Sequence, residues 1–232
     1  MFKTRMDGRD TQNCILLYVK YPEPGRVKTR LSEALDDGVA AELYRHFVMD
    51  VLATATGTGH DVIICYAPAG REEDFRGWLG TGYRYHRQRG DTLGEKLKHG
   101  FADIYAAGYR SAIAIGSDSP DLPSRYIEMA FTRLGEHDVV IGPAVDGGYY
   151  LIGFARDTFV PEAFDGIEWS TSTVLHETLR TLRRQPGTVD VYMLPAWKDV
   201  DTLDDLWALI HRTRNGAFAS SATMRYLTSE IL

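Results

Sequence analysis

The stretch Ser111–Leu122, with the sequence SAIAIGSDSPDL, indicates the fold of the whole chain. The apolar run at 112–115 ends abruptly at Gly116, and an apolar run bounded by turn residues is typical of a buried strand. Two carboxylates, Asp118 and Asp121, follow directly. Ligands of an open α/β sheet bind outside the carboxyl ends of its strands. Asp118 is therefore predicted to lie where such folds carry their chemistry.

The rest of the chain alternates between predicted strands and predicted helices. Apolar runs predict further strands at 14–19, 60–67, 83–87, 138–142, 149–154 and 189–194. Apolar residues at helical spacing predict helices at 39–55, 71–79, 93–104, 127–134, 174–182 and 203–211. This alternation is typical of an α/β layered fold, and the turn at Asp146–Gly148, which joins two strands directly, predicts a mixed sheet. We expect a single domain over 1–232, with peripheral tails at 1–12 and 215–232.

Composition limits the class of protein. The 232 residues are 44% hydrophobic and carry a net charge of -6, which argues against a general nucleic-acid binder. Cys14 and Cys65 both lie in apolar runs, as buried free thiols of a reducing compartment do. No run approaches the roughly 18 apolar residues of a membrane span, and 1–13 lacks the apolar core of a signal peptide. We expect a cytoplasmic protein with neither nucleic-acid nor membrane partners.

A basic loop follows the first predicted strand. Between Lys20 and Arg30 there are four cations and one anion, so in an acidic protein this loop is a candidate anion site. The segment GRVKTR resembles the end of a phosphate-binding P-loop but lacks the glycine immediately before Lys28, which excludes a Walker site. Two interpretations remain: either Arg26, Lys28 and Arg30 hold phosphates, or the loop is merely solvated.

A second acidic turn also follows a predicted strand and contains Asp199 and Asp201. Carboxylates at two strand ends can share one cation, and Mg²⁺ usually takes one or two carboxylates together with substrate phosphates. We therefore expect Asp118, Asp201 and Asp199 to bind Mg²⁺ or Mn²⁺. The alternative for Asp201 is a helix-terminal role, because acidic residues favour helix N-termini.

Two glycine-containing turns are further candidates. The sequence Asp146-Gly147-Gly148 predicts a hairpin, and its glycines also permit close approach of a ligand to the backbone. The loop 88–96 runs into a helix N-terminus, where backbone N–H groups favour anions; the alternative is a plain loop and cap. We predict that the acceptor is bound by Asp146, Gly147, Gly148 and Tyr149, and that the nucleotide is bound by Gly90, Gly94 and Ser117 besides the basic loop. The segment 169–172 is assigned to core and cap.

Seven segments occur in an order that resembles a known family: YVKYPEPGRVKTRL, the helix ending in Asp50-Val51-Leu52, QRGDTLGEKL, IGSDSPDL, GPAVDGGYYLIG, FDGIEWSTSTV and KDVDTLDDL. Together they resemble the radical-SAM/selenodomain-associated transferases, a bacterial family of GT-A-like proteins within the nucleotide-diphospho-sugar transferase superfamily. A more distant resemblance is to the guanylyltransferase that acts on phospholactate in deazaflavin-cofactor synthesis. The likeness extends from about Cys14 to Ile210.

The resemblance implies a three-layer α/β/α sandwich around a mixed, mostly parallel sheet, with a nucleotide over the strand ends. It places the superfamily's metal aspartate at Asp118, its second acidic position at Asp201 with Asp199 close by, and its basic loop at 26–30. The glycine-rich L-x-G-G-x-G-x-R-M loop of sugar nucleotidyltransferases is replaced by PEPGRVKTRL. The donor nucleotide therefore does not follow from the resemblance.

Our leading hypothesis is a transferase that moves a nucleotidyl group from a nucleoside triphosphate to a small acceptor bearing phosphate or carboxylate. Lys28 and Arg30 would offset the charge that grows on the pyrophosphate leaving group, with Asp118 as the catalytic metal ligand. One alternative is glycosyl transfer from a nucleotide-diphospho-sugar. Another is a nucleotide-binding regulatory module without catalysis. A haloacid-type phosphatase is disfavoured because its D-x-D motif should follow the first strand.

Overall fold

The computed structural model describes residues 13–230, so the expected N-terminal tail at 1–12 lies outside the described residues. The strands are β1 (Asn13–Lys20), β2 (Asp61–Ala67), β3 (Arg84–Arg87), β4 (Ser111–Ile115), β5 (Val139–Pro143), β6 (Tyr149–Ala155) and β7 (Val191–Met193). The α-helices are α1 (Thr29–Ser32), α2 (Asp37–Gly57), α3 (Glu72–Leu79), α4 (Leu93–Ala106), α5 (Ser124–Arg133), α6 (Val174–Arg183), α7 (Leu203–Thr213) and α8 (Ala222–Glu230). None of these helices combines the length and apolar character needed to cross a membrane.

The strands form one sheet in the order β3-β2-β1-β4-β6-β5-β7. Strand β1 runs parallel to β2 and β4, β2 runs parallel to β3, and β7 runs parallel to β5. Strand β6 is antiparallel to both β4 and β5, because the short turn at 144–148 returns the chain beside β5. The expected mixed, mostly parallel sheet is confirmed.

Helices cover both faces of this sheet. Alternate side chains of β1 point to opposite faces: Ile15 and Leu17 belong to one buried cluster, and Cys14 and Leu16 to another. The first cluster includes apolar residues of α2, α3 and α5, and the second includes apolar residues of α4 and α6. The expected three-layer α/β/α sandwich is therefore confirmed. Cys14 and Cys65 are buried free thiols, as expected.

Helix α7 begins directly after the second acidic turn, and its start is fixed by a capping box. The Thr202 hydroxyl accepts from the Asp205 backbone N–H, and the Asp205 carboxylate accepts from the Thr202 N–H. Burial opposes ionisation of Asp205, but its hydrogen bonds with Thr202 and Lys198 outweigh this and lower its pKa to about 2. Asp205 thus has a structural role at the start of α7. Asp199 and Asp201, by contrast, line the cleft described below.

The C-terminal segment packs more closely than the expected peripheral tail at 215–232 would. Met224 and Leu227 of α8 lie in a third buried cluster together with residues of α1, α2 and α7. The Asp50 carboxylate of α2 accepts from the backbone N–H groups of Ala222 and Thr223, at 2.9 and 2.8 Å. Asp50, which belongs to one of the recognised segments, therefore caps the N-terminus of α8.

Candidate active site

A cleft of 780 Å³ opens at the carboxyl ends of β1 and β4. Its walls include the basic loop after β1, the turn after β4, the β5–β6 hairpin, the segment before α6 and the acidic turn before α7, together with residues of α2 and of the start of α4. Of the residues predicted from sequence, those that line the cleft are Arg26, Lys28, Arg30, Ser117, Asp118, Asp146, Gly148, Tyr149, Asp199 and Asp201. The topology thus brings together side chains that are separated by more than 170 positions in sequence.

Lys28 lies at the centre of the acidic side chains. Its ammonium forms an ion pair with Asp118 Oδ1 and a second one with Asp201 Oδ1 at 2.8 Å. The Lys28 side chain is only 3% exposed, whereas those of Asp118 and Asp201 are 48% and 38% exposed. Burial disfavours the charge on Lys28, yet the two carboxylates outweigh it and raise its pKa above the ordinary value. A permanent cation therefore sits between the two carboxylates that the sequence predicts as metal ligands.

The backbone around Lys28 is held in an unusual conformation. Lys28 has a φ of 49°, in the left-handed region, and forms the N-cap of α1. Its carbonyl accepts from the N–H groups of Leu31 and Ser32, both at 2.9 Å. Leu31 is fully buried against α2 and α7, so α1 is anchored to the core. The backbone position of Lys28 is thus set by the fold.

Asp199 differs from the other two acidic residues. Its carboxylate accepts a hydrogen bond from the Ser119 hydroxyl at 2.5 Å. Burial raises the pKa of Asp199 to about 7, against the lowering effect of that hydrogen bond. The Asp118 carbonyl accepts from the Val200 N–H at 2.9 Å and ties the two acidic turns together. Asp199 therefore connects the turns, whereas Asp118 and Asp201 present more of their carboxylates to the cleft.

Buried hydrogen bonds hold the floor of the cleft beside Asp118. The hydroxyls of Tyr44 and Ser117 share a buried hydrogen bond at 2.8 Å, and the Lys20 N–H donates to the Tyr44 hydroxyl at 3.1 Å. Burial raises the pKa of Tyr44 to about 12, so this hydroxyl remains protonated at neutral pH. Ser117 therefore orients the turn after β4.

Asp121, the second carboxylate of that turn, points away from the cleft. It receives two hydrogen bonds from the Arg212 guanidinium, at 2.7 and 2.8 Å, and one from the Trp197 indole at 3.3 Å. Its side chain is 5% exposed. Asp118 and Asp121 are only three positions apart, yet Asp118 faces the cleft whereas Asp121 links the turn to α7.

The predicted glycines divide into one that lines the cleft and three that do not. Gly148 lines the cleft, whereas Gly90, Gly94 and Gly147 do not. A Cβ at Gly94 would lie 2.9 Å from the Trp169 indole nitrogen, and one at Gly90 would lie 2.4 Å from Glu95 Cβ. These two positions are small because protein atoms already occupy the adjacent space, which accounts for both glycines without a ligand.

The segment 169–172 lines the cleft, although its sequence was assigned to core and cap. Gly147 explains its position: φ is 94°, and a Cβ there would lie 2.1 Å from the Ser172 carbonyl oxygen. The Leu175 N–H also donates to the Gly147 carbonyl at 2.9 Å. The hairpin and the segment before α6 are therefore joined by their backbones, which no local sequence pattern reveals. Gln88 and Leu93 of the candidate loop 88–96 also line the cleft, as does Tyr18, which was not predicted.

The charged residues that line the cleft are unevenly distributed along its walls. Within residues 13–230, the cations that line it are Lys20, Arg26, Lys28 and Arg30, which all come from the short segment between the end of β1 and α1. The acidic side chains that line it are Asp118, Asp146, Asp199 and Asp201. The wall formed by the hairpin and by 169–172 therefore has acidic and hydroxyl groups and no cation among its described lining residues.

The donor chemistry at Asp118 and Asp201 suits a hard divalent cation. Both present carboxylate oxygens to an open cleft, and such oxygens are the ligands that Mg²⁺ prefers. No cluster of three or more acidic, His or Cys side chains arranged for a metal occurs among the described residues. A cation held here would thus need further oxygens from a phosphate or from water, as is usual for Mg²⁺.

The fold and this cleft define an α/β protein of the nucleotide-diphospho-sugar transferase type. Residues 50–171 match the profile of DUF2064, described as an uncharacterized protein conserved in bacteria, and the chain belongs to this family. A crystal structure from Desulfovibrio desulfuricans G20, described as a proposed nucleotide-diphospho-sugar transferase, is 44% identical. It covers 93% of this chain and 94% of its own, with a TM-score of 0.89. The likeness to nucleotide-diphospho-sugar transferases inferred from the sequence is confirmed.

More distant structures share the fold. CMP:2-keto-3-deoxy-manno-octonic acid synthetase complexed with CTP has a TM-score of 0.53 at 15% identity, covering 87% of this chain and 99% of its own. The manganese complex of Rv0371C from Mycobacterium tuberculosis H37Rv has a TM-score of 0.54 at 18% identity, covering 87% and 98%. No curated protein matches the chain.

Proposed function

We propose that this protein is a metal-dependent nucleotidyltransferase, which moves a nucleotidyl group from a nucleoside triphosphate to a small acceptor. The observation that carries the proposal is the position of Lys28 between Asp118 and Asp201, with the exposed Arg26 and Arg30 on the same loop. Carboxylate oxygens and several cations line one cleft at the carboxyl edge of the sheet. A polyphosphate together with a divalent cation is a ligand that uses both.

In the proposed reaction, an acceptor oxygen attacks the α-phosphorus. The bond between that phosphorus and the bridging oxygen breaks, and pyrophosphate leaves with the electron pair. Lys28 and Arg30 stabilise the negative charge that grows on the leaving group, which is the main catalytic demand of phosphoryl transfer. Asp118 and Asp201 would hold Mg²⁺ or Mn²⁺, which supplies charge neutralisation for the phosphates when bound.

The uneven distribution of charge bears on where the acceptor binds. The sequence led us to expect an anionic acceptor near Asp146–Tyr149, but the charged lining residue there is Asp146. A phosphate or carboxylate on the acceptor would be repelled from that wall and attracted to Arg26 or Arg30. We therefore propose that the neutral part of the acceptor contacts the hairpin and 169–172, and that any anionic group reaches the basic loop.

The comparisons support this reaction class and also favour a second candidate. The synthetase that shares the fold is complexed with CTP, and Rv0371C is complexed with manganese. The 44% identical relative is instead described as a proposed nucleotide-diphospho-sugar transferase, which favours glycosyl transfer from a sugar nucleotide. In that reaction the same cations would stabilise a nucleoside diphosphate leaving group.

Product analysis distinguishes the candidates. The full chain is incubated with Mg²⁺ and either nucleoside triphosphates or nucleotide sugars, with water and a panel of small acceptors. Release of pyrophosphate supports nucleotidyl transfer, and release of nucleoside diphosphate from a sugar nucleotide supports glycosyl transfer. Tight binding of nucleotide without any product would support the non-catalytic module instead. The variant Asp118→Asn should lose product formation, and Asp204→Asn, which removes an exposed carboxylate of α7, is the matched control.

A further inference from the structure

The ammonium of Lys28 is paired with both of the carboxylates that would bind a metal ion. The pairing is local and specific: the Lys28 side chain is 3% exposed and lies below the two more exposed carboxylates. A divalent cation that approached Asp118 and Asp201 alone would meet a positive charge in contact with both of its ligands.

This arrangement should weaken the binding of a free cation. Two unit charges about 4 Å apart in water repel each other by about 1 kcal/mol, a factor of about five in affinity, and a divalent ion doubles that energy. The presence of Lys28 should therefore weaken the affinity for a free divalent cation about 30-fold. The penalty disappears when the ammonium finds another anion to pair with.

A triphosphate is such an anion, and the structure indicates how Lys28 could reach it. The Lys28 carbonyl is held by the N–H groups of Leu31 and Ser32, so the backbone stays in place. Four flexible methylene groups carry the ammonium, which can turn toward a phosphate above it. Arg26 and Arg30 lie on the same cleft wall and would attract that phosphate.

We propose that Lys28 makes the carboxylate pair select a metal–triphosphate complex over the free divalent cation. The inference rests on the proposed metal site and specifies how that site is filled. The cation binds together with the nucleotide, and the Lys28 ammonium moves from the carboxylates to the phosphates when they bind. Lys28 is thus a specificity-determining residue as well as a phosphate ligand.

The test is a titration of the full chain with free Mn²⁺ in the absence of nucleotide, in which binding is monitored by electron paramagnetic resonance. Replacement of the cation by an uncharged side chain, Lys28→Met, should tighten free Mn²⁺ binding by 10- to 100-fold. Lys28→Gln is a second neutral variant, and each variant is first checked by circular dichroism. Lys28→Arg retains the charge and should bind free Mn²⁺ as weakly as the wild type does.

A matched control separates the local contact from net charge. Arg30→Met removes a cation from the same loop, but Arg30 forms no described ion pair with either carboxylate, so free Mn²⁺ affinity should change by less than about threefold. With an α,β-methylene triphosphate present, the wild type should bind Mn²⁺ at least 10-fold more tightly than without it, and Lys28→Met should show a smaller gain.

The inference is overturned if both neutral variants bind free Mn²⁺ within threefold of the wild type. It is also overturned if Arg30→Met tightens binding as much as Lys28→Met does, because net charge then accounts for the effect. Failure of the proposed function would be distinguishable from failure of this inference. In that case the wild type would release no pyrophosphate, although Lys28→Met would still bind free Mn²⁺ more tightly than the wild type does.

Discussion

The two carboxylates of the turn after β4 offer a paired test of the site. Asp118 faces the cleft and Asp121 faces α7, so Asp118→Asn and Asp121→Asn make the same chemical change three positions apart. Asp118→Asn should abolish metal-dependent nucleotide binding with little loss of stability. Asp121→Asn should lower the stability and leave metal-dependent nucleotide binding intact.

The structure sets the size of each effect. Asp118→Asn leaves the ion pair between Lys28 and Asp201 at 2.8 Å, and the lost carboxylate is 48% exposed. Its free energy of unfolding should fall by about 1 kcal/mol or less. Asp121→Asn weakens a pair whose carboxylate is 5% exposed, so its free energy of unfolding should fall by about 2–3 kcal/mol. In a chain of this length, that corresponds to a decrease in Tm of about 5–10 °C.

The assay is thermal unfolding with and without Mg²⁺ and a nucleoside triphosphate. A ligand at about 100 times its Kd adds about 2.7 kcal/mol to the wild type, a shift of about 5–10 °C. Asp118→Asn should show no such shift and at least a ~10²-fold lower turnover. Asp121→Asn should melt earlier and keep the shift. A full ligand shift in Asp118→Asn, or its loss in Asp121→Asn alone, would refute the assignment of the two side chains.

Three further predictions concern stability and are checked by chemical denaturation. Gly147→Ala should lower the free energy of unfolding by more than about 2 kcal/mol, since its Cβ would meet the Ser172 carbonyl; Gly166→Ala, also at positive φ but with nothing within 4 Å, should cost about 1 kcal/mol. Equal losses would contradict the close approach. Asp50→Ala should cost about 1–2 kcal/mol because the first N–H groups of α8 lose their acceptor, and an unchanged stability would remove its capping role. The depressed pKa of Asp205 means that its contribution is present at neutral pH and is lost as the pH falls from 3.8 toward about 2. Asp205→Asn should therefore cost about 2 kcal/mol at pH 7, with a difference from wild type that narrows below pH 4, and a pH-independent difference would contradict the assignment.

Much of the fold follows from local pattern. The apolar runs at 14–19 and 112–115 became β1 and β4, because continuous apolar sequence is required wherever both faces of a strand are covered. The start of α7 is also local in origin, since Thr202 and Asp205, three positions apart, form its capping box. The short turn at 146–148 indicated the antiparallel pair and so the mixed sheet.

The site follows from sequence only in part, because contacts between distant segments carry no local signal. The positions of Asp118 and Asp201 at strand ends were predictable, but the ammonium of Lys28 between them was not, since 90 and 173 positions separate it from its partners. The segment 169–172 looked like core and cap, and it lines the cleft because the Gly147 backbone holds it there.

The most direct test of the account is a crystal structure of the protein with Mg²⁺ and an α,β-methylene nucleoside triphosphate. The account predicts that the cation binds Asp118 and Asp201 and that the phosphates contact Lys28 and Arg30 within the 780 Å³ cleft. A nucleotide bound elsewhere, or one bound in the cleft while Lys28 still pairs with both carboxylates and no metal contacts Asp118, would contradict it.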